Sequence, residues 1–196
     1  SSAASDVYKR QLQDQFYDHS KRVSEQPDPD IVLHVVRETS EGPVVRGLRN
    51  LATLAPLSDE ALVYPNRPRD ADEPDHALEF AITMNAPGLK IICRDLYAEH
   101  ADPERFPLTA RFDEVDATLI FDDVLVPWNR IFAYRAPDVV AGFHRSISTW
   151  ATYATLVRLI IKLETFLAVA QLLTEWSGRH KNPNSHLLLS ACVQFL

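Results

Sequence analysis

Asp113, Glu114, Asp116, Asp122 and Asp123 place five carboxylates within eleven positions, dense enough to suggest a hard cation. Loops that hold such ions use a glycine at their tight turn, and none stands among these five. Acids flanking strand turns explain them as well, and no metal site is expected. A second candidate is the uncharged segment Asn50-Leu51-Ala52-Thr53-Leu54-Ala55-Pro56. Small residues there leave backbone accessible, and the Thr53 hydroxyl can donate or accept a hydrogen bond to a heteroaromatic ligand; an ordinary turn threonine is the alternative. His144, near the start of a long helical stretch, reads as a capping or buried histidine. Cys93 and Cys192 belong to no C-x-x-C or His-rich cluster, so buried free thiols are expected rather than zinc ligands or a disulfide framework. With five glycines, none in G-x-G-x-x-G, there is no phosphate loop. G-x-S-x-G and H-E-x-x-H are absent as well.

The elements that must position these residues come from a chain of 196 residues, with 20 Lys+Arg against 27 Asp+Glu, a formal charge of −7 and 46% hydrophobic residues. A chain of this size buries about 70% of its unfolded surface, enough for a full core. The acidic balance and the lack of a basic stripe argue against nucleic acid. The longest uncharged runs, Ser146 to Val157 and Thr165 to Thr174, fall short of the roughly 18 residues that span a bilayer. Neither a membrane segment nor a signal peptide is expected, and the cytoplasm is the default compartment. Residues 1–11 read as a non-native leader, and the apolar end Ala191 to Leu196 lacks a helix stop. The chain therefore reads as a fragment of a longer protein.

Residues 12–30 read as a connector or short helix, Leu12 to Glu25, ending at Pro27. β-branched and apolar runs then predict strands at Ile31–Val36, Val44–Arg46, Ala61–Tyr64, His76–Thr83, Leu89–Arg94, Ala117–Phe121 and Val124–Val126, with turns at Ser40-Glu41-Gly42-Pro43 and Asp122-Asp123. The fold class is α+β: an antiparallel β-barrel or sandwich over residues 31–136, followed by a long helix opening a helical domain at residues 137–196. Asp138 to Ser177 holds no proline and one glycine before the stop signal Gly178, which predicts one long helix or two joined. Its apolar residues lie on most sides, which predicts packing between further helices.

Three blocks carry a resemblance. They are Val45-Arg46-Gly47 leading through Leu51 to Glu60 and Val63-Tyr64-Pro65; Phe80-Ala81-Ile82 through Ala86 to Arg94; and Arg111 to Ala117 followed by Ile120 to Phe132. In this order they are similar to the 4-hydroxyphenylacetate 3-hydroxylase family. The resemblance implies the oxygenase component of a two-component flavin monooxygenase built like an acyl-CoA dehydrogenase: helical N-terminal domain, β middle domain and C-terminal four-helix bundle. Such an enzyme takes reduced FAD from a separate flavin reductase, forms a flavin C4a-hydroperoxide with O2 and hydroxylates a phenol ortho to its hydroxyl. The apolar helix needs partners, so the parent enzyme is expected to be a homotetramer assembled through its helices.

It places Thr53, with Ala52 beside it, near the reactive edge of the flavin. Asn66 and Arg67 fall about where 4-hydroxyphenylacetate hydroxylases carry a Ser-Thr pair near the substrate carboxylate, within the Pro65 to Pro74 loop over the substrate. That departure leaves the identity of the phenol open. The family's acid-base residues belong to an N-terminal domain and map to no position here, so the fragment by itself is expected to be inactive. The same superfamily includes 4-hydroxybutyryl-CoA dehydratase, whose cluster-binding histidine is followed seven residues later by a cysteine. His144 matches, but Ala151 cannot ligate iron.

Overall fold

The computed structural model describes residue 18 and residues 20–194. The expected leader, and residues 12–17 and 19 of the expected Leu12 to Glu25 helix, lie outside the described residues. The described part of the connector forms short 3-10 turns at Val23–Glu25 and Pro29–Ile31.

The strands are β1 (His34–Glu38), β2 (Pro43–Arg49), β3 (Glu60–Val63), β4 (Leu78–Thr83), β5 (Leu89–Cys93), β6 (Ala117–Leu125) and β7 (Ile131–Tyr134). They form two antiparallel sheets, β1-β2-β6-β5 and β3-β4-β7. The closed barrel among the expectations does not form: the described strands make two open rows, and alternating apolar residues from both fill one shared core. Leu33, Val35, Val45, Leu119 and Phe121 from the larger sheet and its lead-in meet Val63, Leu78, Phe80 and Ile82 from the smaller. Phe80 stands edge-on to Phe121, ring centres 5.9 Å apart, the geometry aromatic quadrupoles favour.

Asp122-Asp123 is not a turn. Gly47 pairs with Phe121 and Val45 with Val124, so Arg46 alone faces both aspartates. That is a β-bulge, one extra residue absorbed by a continuing strand. Inward burial runs Ala117, Leu119, Phe121 and resumes at Val124 and Val126. Asp123 takes a left-handed φ of 52°, and Arg46 donates to its Oδ1 from Nε at 2.9 Å and Nη2 at 2.6 Å. Two further elements were not expected. These are β7, whose four residues are too few to show a period, and α1 (Pro107–Phe112) in a stretch whose prolines read as loop. Cys93 and Cys192 are free, as expected, but exposed rather than buried.

α2 runs Pro137–Trp176, 40 residues, with proline at its first position, where the missing N–H costs no helical bond. The chain divides into two compact units, one through Ile147 and one from Ser148 on. In the first, the opening turns of α2 cover the outer face of the small sheet. Val140 packs on Ala77 and Ala133, and Phe143 meets Tyr64 edge-on at 5.2 Å. In the second, residues 148–176 carry many exposed apolar side chains, Trp150 and Trp176 at 72% and 79% among them. Gly178 at φ 70° ends the helix run, and α3 (Pro183–Val193) follows. Among the described residues no helix is long and apolar enough to cross a membrane.

Glu79 of β4, next to two core residues but on the opposite pleat, is buried at 4% exposure. Its Oε1 has no hydrogen-bond partner among the described residues, and neither has Tyr64 Oη. Burial pushes the Glu79 carboxyl up from 4.5 to about 7. It raises the Tyr64 phenol as well, with a further push from Glu79.

Two outcomes follow for stability. A Cβ at Gly47 (φ +130°) would lie 2.5 Å from Leu33 Cα and 2.6 Å from Leu33 N. These are backbone atoms that cannot move aside, so Gly47→Ala is expected to lower unfolding stability by about 3 kcal/mol, read in urea or heat. For Glu79 the folded pKa lies above the unfolded one. Its contribution is therefore fully present below about pH 4.5 and is lost as pH rises through about 7. Glu79→Gln should match the parent at pH 4.5 and exceed it by about 2 kcal/mol at pH 8. An equal offset at both pH values would show that desolvation of the charge is not the cause.

Candidate functional site

The chain leaving β2 turns sharply at Leu51 and Leu54, both in left-handed conformation at φ 55° and 61°. Each costs a side-chain-bearing residue on the order of 1–2 kcal/mol, and β-sheet-like bonds hold the pair in place. Ala52 N donates to Ala117 O at 2.9 Å and Leu54 N to Val115 O at 2.8 Å, so the loop lies along the residues leading into β6. Ala52 is buried and Thr53 half-buried between the two strained leucines. Thr53 N donates to Leu51 O at 2.9 Å, and its hydroxyl donates to Asp116 Oδ1. Thr118 Oγ1 donates to Asn50 Oδ1 at 2.8 Å, tying the start of the loop to the same strand.

Asp116 is itself held. Its backbone carbonyl accepts from Arg94 N at 3.0 Å, and its Oδ2 stands 3.6 Å from Arg94 Nε. Arg94 also donates to Asp113 Oδ1 at 2.6 Å and to Asp95 O at 2.6 Å, and its guanidinium lies 4.4 Å over the Tyr97 ring. The Arg94 hydrogen bond keeps the Asp113 carboxyl below the usual carboxylate range. Two further acids of the cluster are likewise engaged: Asp122 by Lys90 at 2.7 Å, and Asp123 by Arg46 and Arg37.

The Pro65–Pro74 loop leaves the far end of β3. Asn66 is half-buried and Arg67 exposed. Asn66 O is 2.8 Å from His144 Nε2 in α2, and Asn66 Oδ1 is buried with no hydrogen-bond partner among the described residues. Arg69 is buried, which brings its guanidinium down to about 10 against the pull of Glu73 and Asp70. The guanidinium of Arg49, wholly buried in β2, is pushed down by burial and then by the like charge of Arg69. Burial alone would raise Glu73. The bonds from Ser24 N and Oγ, at 3.0 and 2.6 Å, and the charges of Arg22 and His76 outweigh it and leave the carboxyl below its usual value. His76 is brought down to about 4, first by burial and then by His34. The outer rim is ionic, with Arg22 on Asp70 and Asp72, and Arg135 on Asp75 at 2.7 Å.

Thr53 and Asn66 thus flank β3 along the chain and bond to different elements, the β6 lead-in and α2. Sequence reading singled out both loops but not what holds them. Asp116 lies 63 positions from Thr53 and was one acid among five, and His144 lies 78 from Asn66 and read as a cap or core residue. No local signal could have joined either pair. Ala151, on α2, offers a methyl group where the dehydratase pattern needs a thiolate.

The family profile described as 4-hydroxyphenylacetate 3-hydroxylase N terminal matches residues 7–133. The oxygenase component of 4-hydroxyphenylacetate 3-monooxygenase from Thermus thermophilus is 39% identical over 157 residues, covering 79% of this chain and 32% of that protein. A crystal structure of the oxygenase component of 4-hydroxyphenylacetate 3-monooxygenase complexed with FAD and 4-hydroxyphenylacetate aligns at TM-score 0.83 and 32% identity, over 94% of this chain and 39% of that one. A 4-hydroxybutyryl-CoA dehydratase from N. maritimus aligns at TM-score 0.72 with 20% identity, over 94% of this chain and 37% of that one, and shares the fold alone. The chain spans about a third of the length of the curated relatives it matches. With the Thermus identity and the profile match over most of its length, the chain belongs to the 4-hydroxyphenylacetate 3-hydroxylase family.

Proposed function

We propose that this chain is part of the oxygenase component of a two-component aromatic monooxygenase. It takes reduced FAD from a separate flavin reductase and, with O2, hydroxylates a phenol of the 4-hydroxyphenylacetate type ortho to its hydroxyl. The observation that carries this reading is the alignment of nearly the whole chain with an oxygenase holding both FAD and 4-hydroxyphenylacetate. In this reading residues 31–136 are the β middle domain and residues 137–196 open the helical domain. The exposed apolar side chains of α2 are covered by further helices of a cytoplasmic homotetramer.

The residues present fit a reduced isoalloxazine edge. Thr53 offers a half-buried oxygen whose hydrogen is already committed to Asp116, hence an acceptor, on a loop clamped to a sheet. Ala52 beside it is buried. When bound, the reduced flavin supplies the activation of O2, which protein side chains cannot perform. The chain's own residues bind, orient and exclude water. Thr53 accepts from the ring edge, and the Pro65–Pro74 loop closes over the phenol. Arg67 and Asn66 hold an acidic tail, Arg67 through a charge-assisted pair. His144 fixes the carbonyl of Asn66 and with it the path of that loop.

The test is anaerobic titration of the protein carrying this chain with reduced FAD, followed by O2 with and without 4-hydroxyphenylacetate. Tight binding of reduced FAD and formation of the dihydroxy product are expected. Failure to bind reduced FAD, or a brown protein containing iron and sulfide, would overturn the reading. Arg67→Ala should raise KM for 4-hydroxyphenylacetate roughly ten- to thirtyfold, the worth of a charge-assisted hydrogen bond, and leave KM for an uncharged phenol unchanged. A parallel rise for both substrates would remove Arg67 from the carboxylate site.

A further inference from the structure

We propose that Asp116 is a positioning residue that makes the flavin site select the reduced cofactor, by accepting the hydrogen bond of the Thr53 hydroxyl. The proposal deepens the function above and rests on its placement of Thr53 at the flavin edge.

A threonine hydroxyl has one hydrogen and two lone pairs. Here the hydrogen points to Asp116 Oδ1, and Asp116, paired through its other oxygen with Arg94 at 3.6 Å, is a carboxylate that accepts and does not donate. Rotation of the hydroxyl would break a charge-assisted bond in a half-buried place, so toward a ligand Thr53 presents lone pairs alone. The surroundings keep this orientation. Asp116 stands between Val115 and Ala117, whose carbonyls take the amides of Leu54 and Ala52, while Arg94 N holds the Asp116 carbonyl. Donor and acceptor are therefore locked to each other by backbone on both sides. Arg94 in turn is fixed by Asp113 and stacks on Tyr97.

The ligand chemistry decides the consequence. Reduced isoalloxazine carries an N–H at N5, whereas the oxidised ring carries a bare lone pair there. An acceptor-only threonine forms a hydrogen bond with the first and sets lone pair against lone pair with the second. An isolated threonine, free to turn, would satisfy either. The Asp116–Thr53 pair converts a contact indifferent to redox state into one that favours the form a separate reductase delivers, and it favours release of the oxidised form after turnover.

The experiment measures dissociation constants of oxidised and of anaerobically reduced FAD for the protein carrying this chain. The variants are Asp116→Asn and Asp116→Ser, each of which can donate to Thr53 and free its hydrogen, together with Thr53→Val and the Thr53→Val/Asp116→Asn double variant. The ratio of oxidised to reduced Kd is expected to fall about tenfold in either Asp116 variant. For a two-electron couple this is a drop of about 30 mV in the bound-flavin potential, a second readout independent of activity. In the Thr53→Val background Asp116→Asn should change the ratio no further, the signature of action through Thr53. If Thr53→Val lowers the ratio while both Asp116 variants preserve it, the proposal fails and the flavin contact stands. If Thr53→Val leaves both Kd values unchanged, the placement of Thr53 at the flavin fails and takes the proposal with it. A loss of affinity equal for both redox forms in the Asp116 variants would mark a structural role and also overturn it.

Discussion

One strand carries competing demands. β6 is hydrogen-bonded along both edges, to β2 and to β5, and its inward residues supply Leu119 and Phe121 to the shared core. Its lead-in also anchors the loop that follows β2. Backbone groups buried in such a place must find partners, and here they do so on both sides, Ala52 and Leu54 on one and Arg94 on the other. The strained conformations of Leu51 and Leu54 persist because these bonds over-determine them. Without the sheet behind it, a loop with two leucines in the left-handed region would relax and Thr53 would lose its partner. The bulge at Asp122-Asp123 belongs to the same constraint. It lets a strand nine residues long stay in register with β2 while returning Val124 and Val126 to the core.

Much of this was legible in sequence where the information is local. Alternation and β-branching located most strands, because burial of one pleat imposes period two. The absence of proline from Asp138 to Ser177, with Gly178 after it, located α2 to within a residue at each end. Asp122-Asp123 was misread for a physical reason: two consecutive acids between apolar runs break the alternation in the same way whether the chain turns or bulges. The difference lies in Arg46, more than seventy positions away, which neutralises Asp123 and keeps the strand going. β7 was lost because four residues cannot establish a period. The site divides similarly. Thr53 could be singled out through its neighbours in sequence and Asn66 and Arg67 through the family resemblance, but Asp116 as the hydrogen-bond acceptor and His144 as the holder of the Asn66 carbonyl are products of topology.

The two loops are held by different physics, and this bears on what each can do. The Thr53 loop is fixed by main-chain hydrogen bonds to a central strand, which no single side-chain change removes. The Pro65–Pro74 loop is fixed at its rim by exposed ion pairs, Arg22 with Asp70 and Asp72, and Arg135 with Asp75. Such pairs contribute typically under about 1 kcal/mol each and weaken with salt. Its deeper anchors, Glu73 on Ser24 and Asn66 on His144, are few. A ring whose chemistry is invariant suits the first kind of support, since its contacts must recur unchanged at every turnover. Under the proposed function, a phenol that differs from one enzyme to another suits the second, since a loop held by a handful of side chains can change residues such as Asn66 and Arg67 without disturbing the sheet. In the proposed reading, cofactor contact and substrate choice are separated along the chain by β3, so residues of the second loop can change while the Thr53–Asp116 pair stays as it is.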